Sequence, residues 1–439
     1  MGVVMGTQMH LASLIYSTGL HQASWRLTDS PIERIGDIEY QIEIAQMAER
    51  GCLDAIFLAD GQYVSGESTG HLSYFLEPLT TLTAISQHTQ YIGLIGTVST
   101  TFYDPYNVAR LLGSLDHISH GRAGMNIVTS QMDVEGQNHS MAQLPPLQER
   151  YERAEEFVTV LKKLWTSFNP RALIHNRDTG QGIDAQFLEE INHNGKYFQI
   201  NGPLNMPASP QVYPLLCQAG TSIPGRELAA KQVDVIFSIA WNQSDAKAFS
   251  KDLTERTQKY RDPKDKPLIL PGLTVYVSDT VEEAQEKVNE LDQFVDNEDK
   301  LLQIERSIGQ DISQWQMDEP IPSLPPYEDL TVKVGSKARY EAIRHVIETE
   351  HLTLRELLQR VNTWMGHKTI VGDPVMVADT MQQWFEAGAC DGFILMPPTY
   401  PDMFENFIDK VIPILQERGL FRTEYKEKTL RARFKREVN

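Results

Sequence analysis

The residues best placed to do chemistry lie in one short stretch, residues 218–226, with the sequence QAGTSIPGR. An apolar run ends there in a turn of small and hydroxyl-bearing residues. The proline of the stretch suits the first turn of a helix, because its missing N–H would be unpaired there anyway. Gly220 and Gly225 let the backbone approach a ligand closely, and Thr221 and Ser222 add hydroxyl donors. Because the free N–H groups and positive dipole end of a helix attract anions, we predict a phosphate-binding turn here.

Other predicted strands also end in mostly neutral hydrogen-bonding residues, at positions 59–61 (ADG), 97–101 (TVSTT), 126–130 (NIVTS) and 396–399 (MPPT). Lysine ends none of these strands, which disfavours a Schiff-base aldolase. Asp60 is the one clear strand-end carboxylate, so the carboxylate pair of a glycosidase is missing. The strand ends hold no His/Asp cluster, and we predict no metal site.

A large planar ligand with polar edges and a phosphate fits such a set of neutral donors and acceptors, and flavin mononucleotide (FMN) is a ligand of this kind. Taken one at a time, the same Thr, Ser and Asn residues could simply cap helices and satisfy turns. Their recurrence at five strand ends favours the ligand.

Alternating strand-like and helix-like segments must bring these ends together. We predict eight strands, at residues 9–16, 54–58, 91–98, 123–128, 212–217, 235–239, 268–277 and 392–396. Apolar residues at helical spacing lie between them, most clearly from Tyr151 to Trp165. This pattern predicts an α/β fold, a (β/α)8 TIM barrel, whose chemistry collects at the carboxyl ends of the strands.

We expect residues 1–439 to form a single barrel domain with two insertions. The first, at about 166–211, is predicted to contain a hairpin around residues 195–200, and the second, at about 280–365, is highly charged and partly helical. Such insertions usually cap the active face or form subunit contacts. The tail from about residue 422 is basic between Lys426 and Arg436, and we interpret it as a solvated or subunit-docking C-terminus rather than a polyanion-binding arm.

Composition limits the partners and the compartment. The formal charge of −19 disfavours a nucleic-acid-binding surface. Three widely spaced cysteines give neither a disulfide framework nor a metal-ligand spacing, and they fit a reducing cytoplasm. The sequence has no signal-peptide pattern and no apolar run of about 18 residues. We therefore predict a cytoplasmic protein that binds neither nucleic acid nor membrane.

Seven motifs carry a family resemblance that spans residues 8 to 422. They lie at residues 57–61 (FLADG), 99–106 (STTFYDPY), 115–117 (LDH), 126–130 (NIVTS), 149–157 (ERYERAEEF), 194–198 (NGKYF) and 218–222 (QAGTS). In this order they resemble the reduced-flavin-dependent monooxygenases of the nitrilotriacetate, dibenzothiophene-sulfone and long-chain-alkane type. These enzymes belong to the bacterial-luciferase-like superfamily.

The resemblance implies an FMN site on the strand ends. Asp60 would lie near the isoalloxazine ring, and Thr97 and Thr100 would border it. The phosphate would be held by Ser130, Tyr151 and Ser222, with backbone groups from Ser222 to Gly225 completing the site beside Gly220.

The resemblance also implies the reaction and the partners. Such enzymes take reduced FMN (FMNH2) from a separate NAD(P)H:flavin reductase, bind O2 and form a flavin C4a-peroxide that oxygenates a small-molecule substrate. A separate reductase agrees with the absence of a convincing dinucleotide fingerprint in this sequence. We expect a homo-oligomer, either a dimer or a tetramer.

The substrate side is predicted from residue types. His21, Trp25 and Arg26, in the loop after strand one, combine a proton donor, an aromatic surface and a fixed cation that could bind a carboxylate or sulfonate. A surface loop in which Arg26 pairs with a neighbouring acid is the competing interpretation. His10 and Tyr63 are further pocket candidates, although His10 could also be a core histidine of the barrel floor.

We expect the substrate to be a small organosulfur compound, an N- or S-substituted amino acid, or an aminopolycarboxylate. Three alternatives stay open at this point: a deazaflavin-dependent hydride-transfer enzyme of the same superfamily, a non-catalytic flavin-binding relative, and a barrel hydrolase. The residue that acts as an acid or base, if there is one, is not assigned.

Overall fold

Eight parallel strands close into a barrel in the computed structural model, which describes residues 8–64, 76–220, 222–332, 334, 337–358 and 367–435. We number the strands β1 (His10–Ile15), β2 (Ala55–Leu58), β3 (Gly93–Ser99), β4 (Ala123–Val128), β5 (Leu215–Gln218), β6 (Val235–Ser238), β7 (Leu268–Val277) and β8 (Gly392–Leu395). Each strand pairs in parallel with the next, and β8 pairs with β1. The predicted (β/α)8 TIM barrel is confirmed.

A ninth strand, Lys368–Gly372, was not predicted. It pairs in parallel with the second half of β7, from Leu273 to Val277. β7 has ten residues whereas its neighbours β6 and β8 have four each, so its carboxyl half extends beyond the barrel and leaves an edge to be paired. The added strand covers that edge.

Helices connect the strands and form the outer layer. The described α-helices are Ile38–Arg50, Pro78–Ser86, Pro105–Ile118, Asp133–Gln137, Leu147–Thr166, Ile223–Gln232, Gln243–Thr257, Val281–Asp292, Asn297–Ile308, Lys337–Glu350, Pro374–Glu386, Asp402–Asn406, Ile412–Glu417 and Leu430–Arg433. None of the described helices is long and apolar enough to cross a membrane.

The first insertion contains two small antiparallel pairs. Leu173–Asn176 pairs with Gln181–Ile183, and His193–Asn194 pairs with Gln199–Ile200. The second pair is the hairpin predicted around residues 195–200. The second insertion carries its own apolar cluster, which includes Ile308, Tyr340 and Val346, and Trp241 packs against this cluster from the loop after β6.

Side chains of the strands alternate between two apolar layers, because successive strand residues point to opposite faces. One layer packs against the helices, and the other fills the barrel interior with residues such as Leu14, Phe57 and Met396. The register sets Thr97 opposite Asn126 and Ile127 opposite Gln218. The polar ends of β3, β4 and β5 therefore lie side by side.

The interpretation of the basic tail as solvated or subunit-docking is wrong for Leu430, Arg433 and Phe434, which are buried within the chain itself. Leu430 and Phe434 belong to the interior cluster of the barrel and are 0% and 5% exposed. The N–H of Leu430 donates to the carbonyl of Gly121 at 2.9 Å, and buried Arg433 donates to the carbonyl of Asp54 at 2.7 Å. This segment is buried despite its charge because Leu430 and Phe434 fill the amino-terminal end of the barrel. Asp54 lies there and offsets the charge of Arg422 and Arg433.

Candidate functional site

A polar ladder crosses the carboxyl ends of β2, β3 and β4 inside the barrel. The hydroxyl of Thr97 donates to the carbonyl of Leu58 at 2.8 Å, and Nδ2 of Asn126 donates to the hydroxyl of Thr97 at 3.0 Å. Oδ1 of Asn126 is buried and accepts no hydrogen bond from the described residues. A buried acceptor without a donor is costly in an isolated protein, so this oxygen is suited to a ligand N–H.

The predicted phosphate turn has the geometry of a small cradle. Helix Ile223–Gln232 follows β5, and the hydroxyl of Ser222 caps it by accepting from the N–H of Gly225 at 3.2 Å. A Cβ on Gly220 or Gly225 would lie 3.0 Å from the hydroxyl of Tyr151. A side chain at either position would therefore crowd the phenol, and the glycines leave room for a ligand between backbone and phenol. Thr221 lies outside the described residues.

Gln218 completes this cradle, although the sequence analysis assigned it no function. Its Nε2 would lie 2.6 Å from a Cβ on Gly220 and 3.1 Å from one on Gly225. Its Oε1 is buried without a hydrogen-bond partner among the described residues. An amide, a phenol and the N–H groups of a helix start thus converge on one point, which is a suitable environment for an anion.

Ser130 and Thr100 are held mainly by the protein itself. The hydroxyl of Ser130 lies 2.9 Å from that of Ser99, and Ser130 has a φ of +55°. Arg150, the residue before Tyr151, donates to the Ser130 carbonyl. The hydroxyl of Thr100 donates to the carbonyl of Val128 at 3.1 Å. Thr100 therefore shapes the strand end, and Ser130 is connected to the cradle through Arg150.

Asp60, after β2, is the titratable group of this polar set. Burial raises the pKa of its carboxyl, and the carboxylates of Glu77 and Glu135 raise it further. Hydrogen bonds from the side chain of Gln62 and from the N–H of Gly61 act in the opposite direction. The carboxyl is thus balanced between its two protonation states more closely than an exposed aspartate.

The loop after β1 packs on the second insertion. Nδ1 of buried His21 accepts from the N–H of Ala23 at 3.1 Å, and Nε2 lies 3.5 Å from Oδ1 of Asp292. Exposed Arg26 donates to the carbonyl of Phe294, and its guanidinium lies 4.9 Å from the centre of that ring. The predicted roles of His21 as proton donor and of Arg26 as anion clamp stay predictions. The carbonyl of Phe294 thus takes the place of the neighbouring acid that the competing interpretation assigned to Arg26.

Trp25 and Tyr63 are half-buried, in the loops after β1 and β2. Their predicted place in the substrate pocket stays a prediction. Tyr63 directly follows Gln62, so it lies on the same loop as Asp60.

His10 lies at the opposite end of the barrel, and its placement among the pocket candidates is wrong. It is the first residue of β1 and stacks on Phe434 of the tail, with ring centroids 4.9 Å apart. Its Nδ1 lies 3.2 Å from Oδ1 of buried Asp54, which also binds Arg422 at 2.7 Å. His10 is therefore part of a buried ion cluster in the barrel floor, as the competing interpretation expected.

His367 is a site residue that the sequence did not indicate. Its ring is 5% exposed and stacks on Phe237 of β6, with centroids 5.3 Å apart and an interplanar angle of 9°. Its Nδ1 would lie only 2.4 Å from a Cβ on Gly272 of β7. The glycine inside an otherwise apolar strand was the available signal, because such a residue often marks close approach of another group.

Among the described residues, no group of three or more His, Cys, Asp or Glu side chains is arranged to hold a metal ion. What the strand ends do offer is an anion cradle after β5, unpaired amide oxygens on β4 and β5, and a carboxyl after β2.

Known proteins resemble this chain over nearly its whole length. The family of luciferase-like monooxygenases matches residues 14–391. N-acetyl-S-(2-succino)cysteine monooxygenase of Bacillus subtilis (strain 168) is 40% identical over 97% of this chain and 96% of its own. Nitrilotriacetate monooxygenase component A of Aminobacter aminovorans is 39% identical over 97% of this chain and 95% of its own.

Two solved structures are similar throughout. EDTA monooxygenase from Chelativorans sp. BNC1 has a TM-score of 0.80 and 32% identity, covering 97% of this chain and 98% of that one. Riboflavin lyase, solved with modified FMN and its substrate riboflavin, has a TM-score of 0.82 and 27% identity, covering 97% and 95%. Since the family and relatives above 30% identity account for nearly the whole chain, this protein belongs to the luciferase-like monooxygenases.

Proposed function

We propose that this protein is the oxygenase component of a two-component system, which uses reduced FMN and O2 to oxygenate a small organic substrate. The observation that carries the proposal is the cradle after β5, where the Tyr151 hydroxyl, the Gln218 amide and the start of helix Ile223–Gln232 surround Gly220 and Gly225. Its donors and its lack of Cβ atoms fit the phosphate of FMN.

The rest of the site fits the flavin ring. In this proposal the buried Oδ1 of Asn126 and the carboxylate of Asp60 accept hydrogen bonds from ring N–H groups. Thr97 and Thr100 shape the surface beside the ring, and Ser130, Tyr151 and Ser222 hold the phosphate. Bound reduced flavin supplies the electrons for activation of O2. The residues themselves orient it and exclude water.

Relatives support a separate reductase and a multiply charged substrate. One relative is named component A of its enzyme, which supports a second component, an NAD(P)H:flavin reductase, for this chain. The compounds in three relatives' names, N-acetyl-S-(2-succino)cysteine, nitrilotriacetate and EDTA, are polycarboxylates. N- or S-substituted amino acids and aminopolycarboxylates are therefore the substrate classes we propose to test first, followed by other organosulfur compounds.

The test is reconstitution with a general flavin reductase, NADH, FMN and ¹⁸O2 against this substrate panel. We expect tight binding of reduced FMN under anaerobic conditions and incorporation of one ¹⁸O atom into a product. Absence of reduced-FMN binding would refute the proposal. Release of hydrogen peroxide alone across the whole panel would instead indicate a flavin-binding relative without oxygenase activity.

A further inference from the structure

Gln62 is the centre of a polar network that joins loops from two strands. Its Nε2 donates to Oδ2 of Asp60 at 3.1 Å, and its Oε1 accepts from Nε2 of His139 at 2.5 Å. Its carbonyl accepts from Nδ2 of Asn138 at 2.8 Å, and its N–H lies 3.5 Å from Oε1 of Glu135. Three residues that follow β4 thus hold Gln62, two through its backbone and His139 through its side chain, while the side chain also contacts the candidate ring-binding carboxyl.

The contact with His139 determines which way the Gln62 amide faces. An amide oxygen can only accept a hydrogen bond, and an amide nitrogen can only donate one. An ionised Asp60 can only accept, so the NH2 group is turned toward it, and the oxygen then meets His139 in the tautomer that carries a hydrogen on Nε2. The His139 ring is held in place by stacking on Phe102, with centroids 4.2 Å apart and an interplanar angle of 8°. His139 therefore selects the orientation that puts a donor on the carboxyl.

Asp60 needs this donor because burial and two neighbouring carboxylates favour its protonated form, and the N–H of Gly61 is the other group that opposes them. Burial raises the pKa of Asp60, and Glu77 and Glu135 raise it further. Each glutamate accepts hydrogen bonds from backbone N–H groups of its own loop. Tyr103 lies beside the same group: burial, Glu77 and Asp60 raise its pKa, and the Gln62 side chain lowers it. Gln62 is the side chain that opposes protonation of Asp60.

We propose that Gln62 is a positioning residue that keeps Asp60 ionised and correctly oriented for the flavin ring, with His139 fixing the orientation of the amide. The inference rests on the proposed function, since it takes Asp60 to accept a hydrogen bond from the bound flavin. Gln62 acts through Asp60 and not on the substrate.

The experiment measures anaerobic affinity for reduced FMN as a function of pH. In the wild type we expect affinity to fall at acid pH as Asp60 takes up a proton, and Asp60→Asn to remove that fall. Gln62→Leu removes the donor, so the pKa of Asp60 rises and the fall moves to higher pH. A charge-assisted hydrogen bond corresponds to a displacement of about one pH unit, or about tenfold in affinity within the transition.

A second variant separates this role from general damage to the fold. His139→Phe keeps a ring over Phe102 but loses the Nε2–H, and we expect a displacement in the same direction. The double variant Gln62→Leu/His139→Phe should move the transition no further than Gln62→Leu alone, because both changes act through one chain of hydrogen bonds. Gln137→Leu, at an exposed glutamine of the same loop, is the matched control and should leave the pH profile unchanged.

An unchanged acid transition in Gln62→Leu would overturn the inference, and so would an equal loss of affinity at every pH. If Gln62→Leu does not fold, as judged by circular dichroism, the exposed His139→Phe variant decides the question on the same criteria. A wild type that binds no reduced FMN at any pH would overturn the proposed function and this inference with it. A pH-dependent wild type with an unaltered variant would overturn the inference alone.

Discussion

Replacing Gly225 by alanine should separate flavin binding from stability. Gly225 lies in the first turn of helix Ile223–Gln232 and does not have a positive φ, so alanine is compatible with the backbone. An added Cβ would lie 3.0 Å from the Tyr151 hydroxyl and 3.1 Å from both Nε2 of Gln218 and the carbonyl of Gly220. These separations are tight, but two of the three neighbours are side-chain tips that can move by a few tenths of an ångström.

The two effects of the change have different magnitudes. Alanine gains up to about 1 kcal/mol over glycine within a helix, and this gain offsets the tight contacts, so the free energy of unfolding should change by less than about 1 kcal/mol. The methyl group and the displaced phenol would occupy the anion cradle. Loss of one hydrogen bond to a charged group costs about 1.5–3 kcal/mol, equivalent to roughly 10- to 150-fold weaker binding.

The assay is an anaerobic titration with reduced FMN and, in parallel, with reduced riboflavin, which lacks the phosphate. We expect Gly225→Ala to weaken FMN binding and to leave riboflavin binding unchanged. Gly182→Ala is the matched control, because an added Cβ at this exposed hairpin glycine has nothing within 4 Å. Equal weakening for both flavins, or an unchanged affinity for FMN, would refute the assignment of the cradle to phosphate.

Three further predictions test other parts of the molecule. Tyr151→Phe should weaken FMN binding roughly tenfold or more without affecting riboflavin binding, as measured by titration; an equal loss of riboflavin affinity would contradict this. Ser222→Ala should weaken FMN binding too, and should also lower the free energy of unfolding by about 1 kcal/mol because the helix loses its cap, as measured by chemical denaturation. Although burial opposes ionisation of Asp54, Arg422 and His10 hold its pKa well below the ordinary value. Its ionised form therefore stabilises the fold above the ordinary aspartate pKa, near 4, and the free energy of unfolding should fall as the pH drops below that value. Asp54→Asn should lower the free energy of unfolding by about 3–5 kcal/mol at neutral pH, and denaturation curves of the variant should show a weaker dependence on acid pH. Gly272→Ala should lower the free energy of unfolding by about 1–3 kcal/mol, because the new Cβ would lie 2.4 Å from Nδ1 of His367. The double variant Gly272→Ala/His367→Ala should recover part of this loss in thermal unfolding, and no recovery would show that the clash involves other residues.

The barrel could be predicted from the sequence because buried parallel strands are short apolar runs separated by amphipathic helices. Strand β5 was placed three residues early, since residues 212–214 continue the apolar run but Val212 has a positive φ. Strand Lys368–Gly372 was missed because it lies against the charged second insertion. Its existence depends on the free edge of β7, which is a property of the folded sheet and not of the local sequence.

The candidate site was predictable where local rules apply. The turn before helix Ile223–Gln232 was identified from its residue types, which are glycine at 220 and 225, serine at 222 and proline at 224. The position of Tyr151 came from family resemblance, since its hydroxyl meets Gly220 only through the packing of two helices that are distant in sequence. For the same reason, residue types in the loop after β1 could not reveal that Asp292 and Phe294 engage His21 and Arg26.

The sequence of the tail did contain a sign of burial, but its basic residues suggested exposure. Leu430 and Phe434 are spaced i, i+4, as on one face of a helical turn. The surrounding lysines and arginines made a solvated segment the more natural interpretation. In the structure Arg433 of this stretch donates to the carbonyl of Asp54, and Arg422, which precedes the stretch, binds the Asp54 carboxylate.

The tail also constrains how the protein is made. The floor of the barrel beside Gly93 is filled by Leu430, a residue translated more than three hundred positions later. Until that segment has been synthesised, the floor of the barrel lacks the side chains of Leu430 and Phe434. We therefore expect the floor to close late in folding, and until then the chain exposes an apolar surface of the kind that molecular chaperones bind.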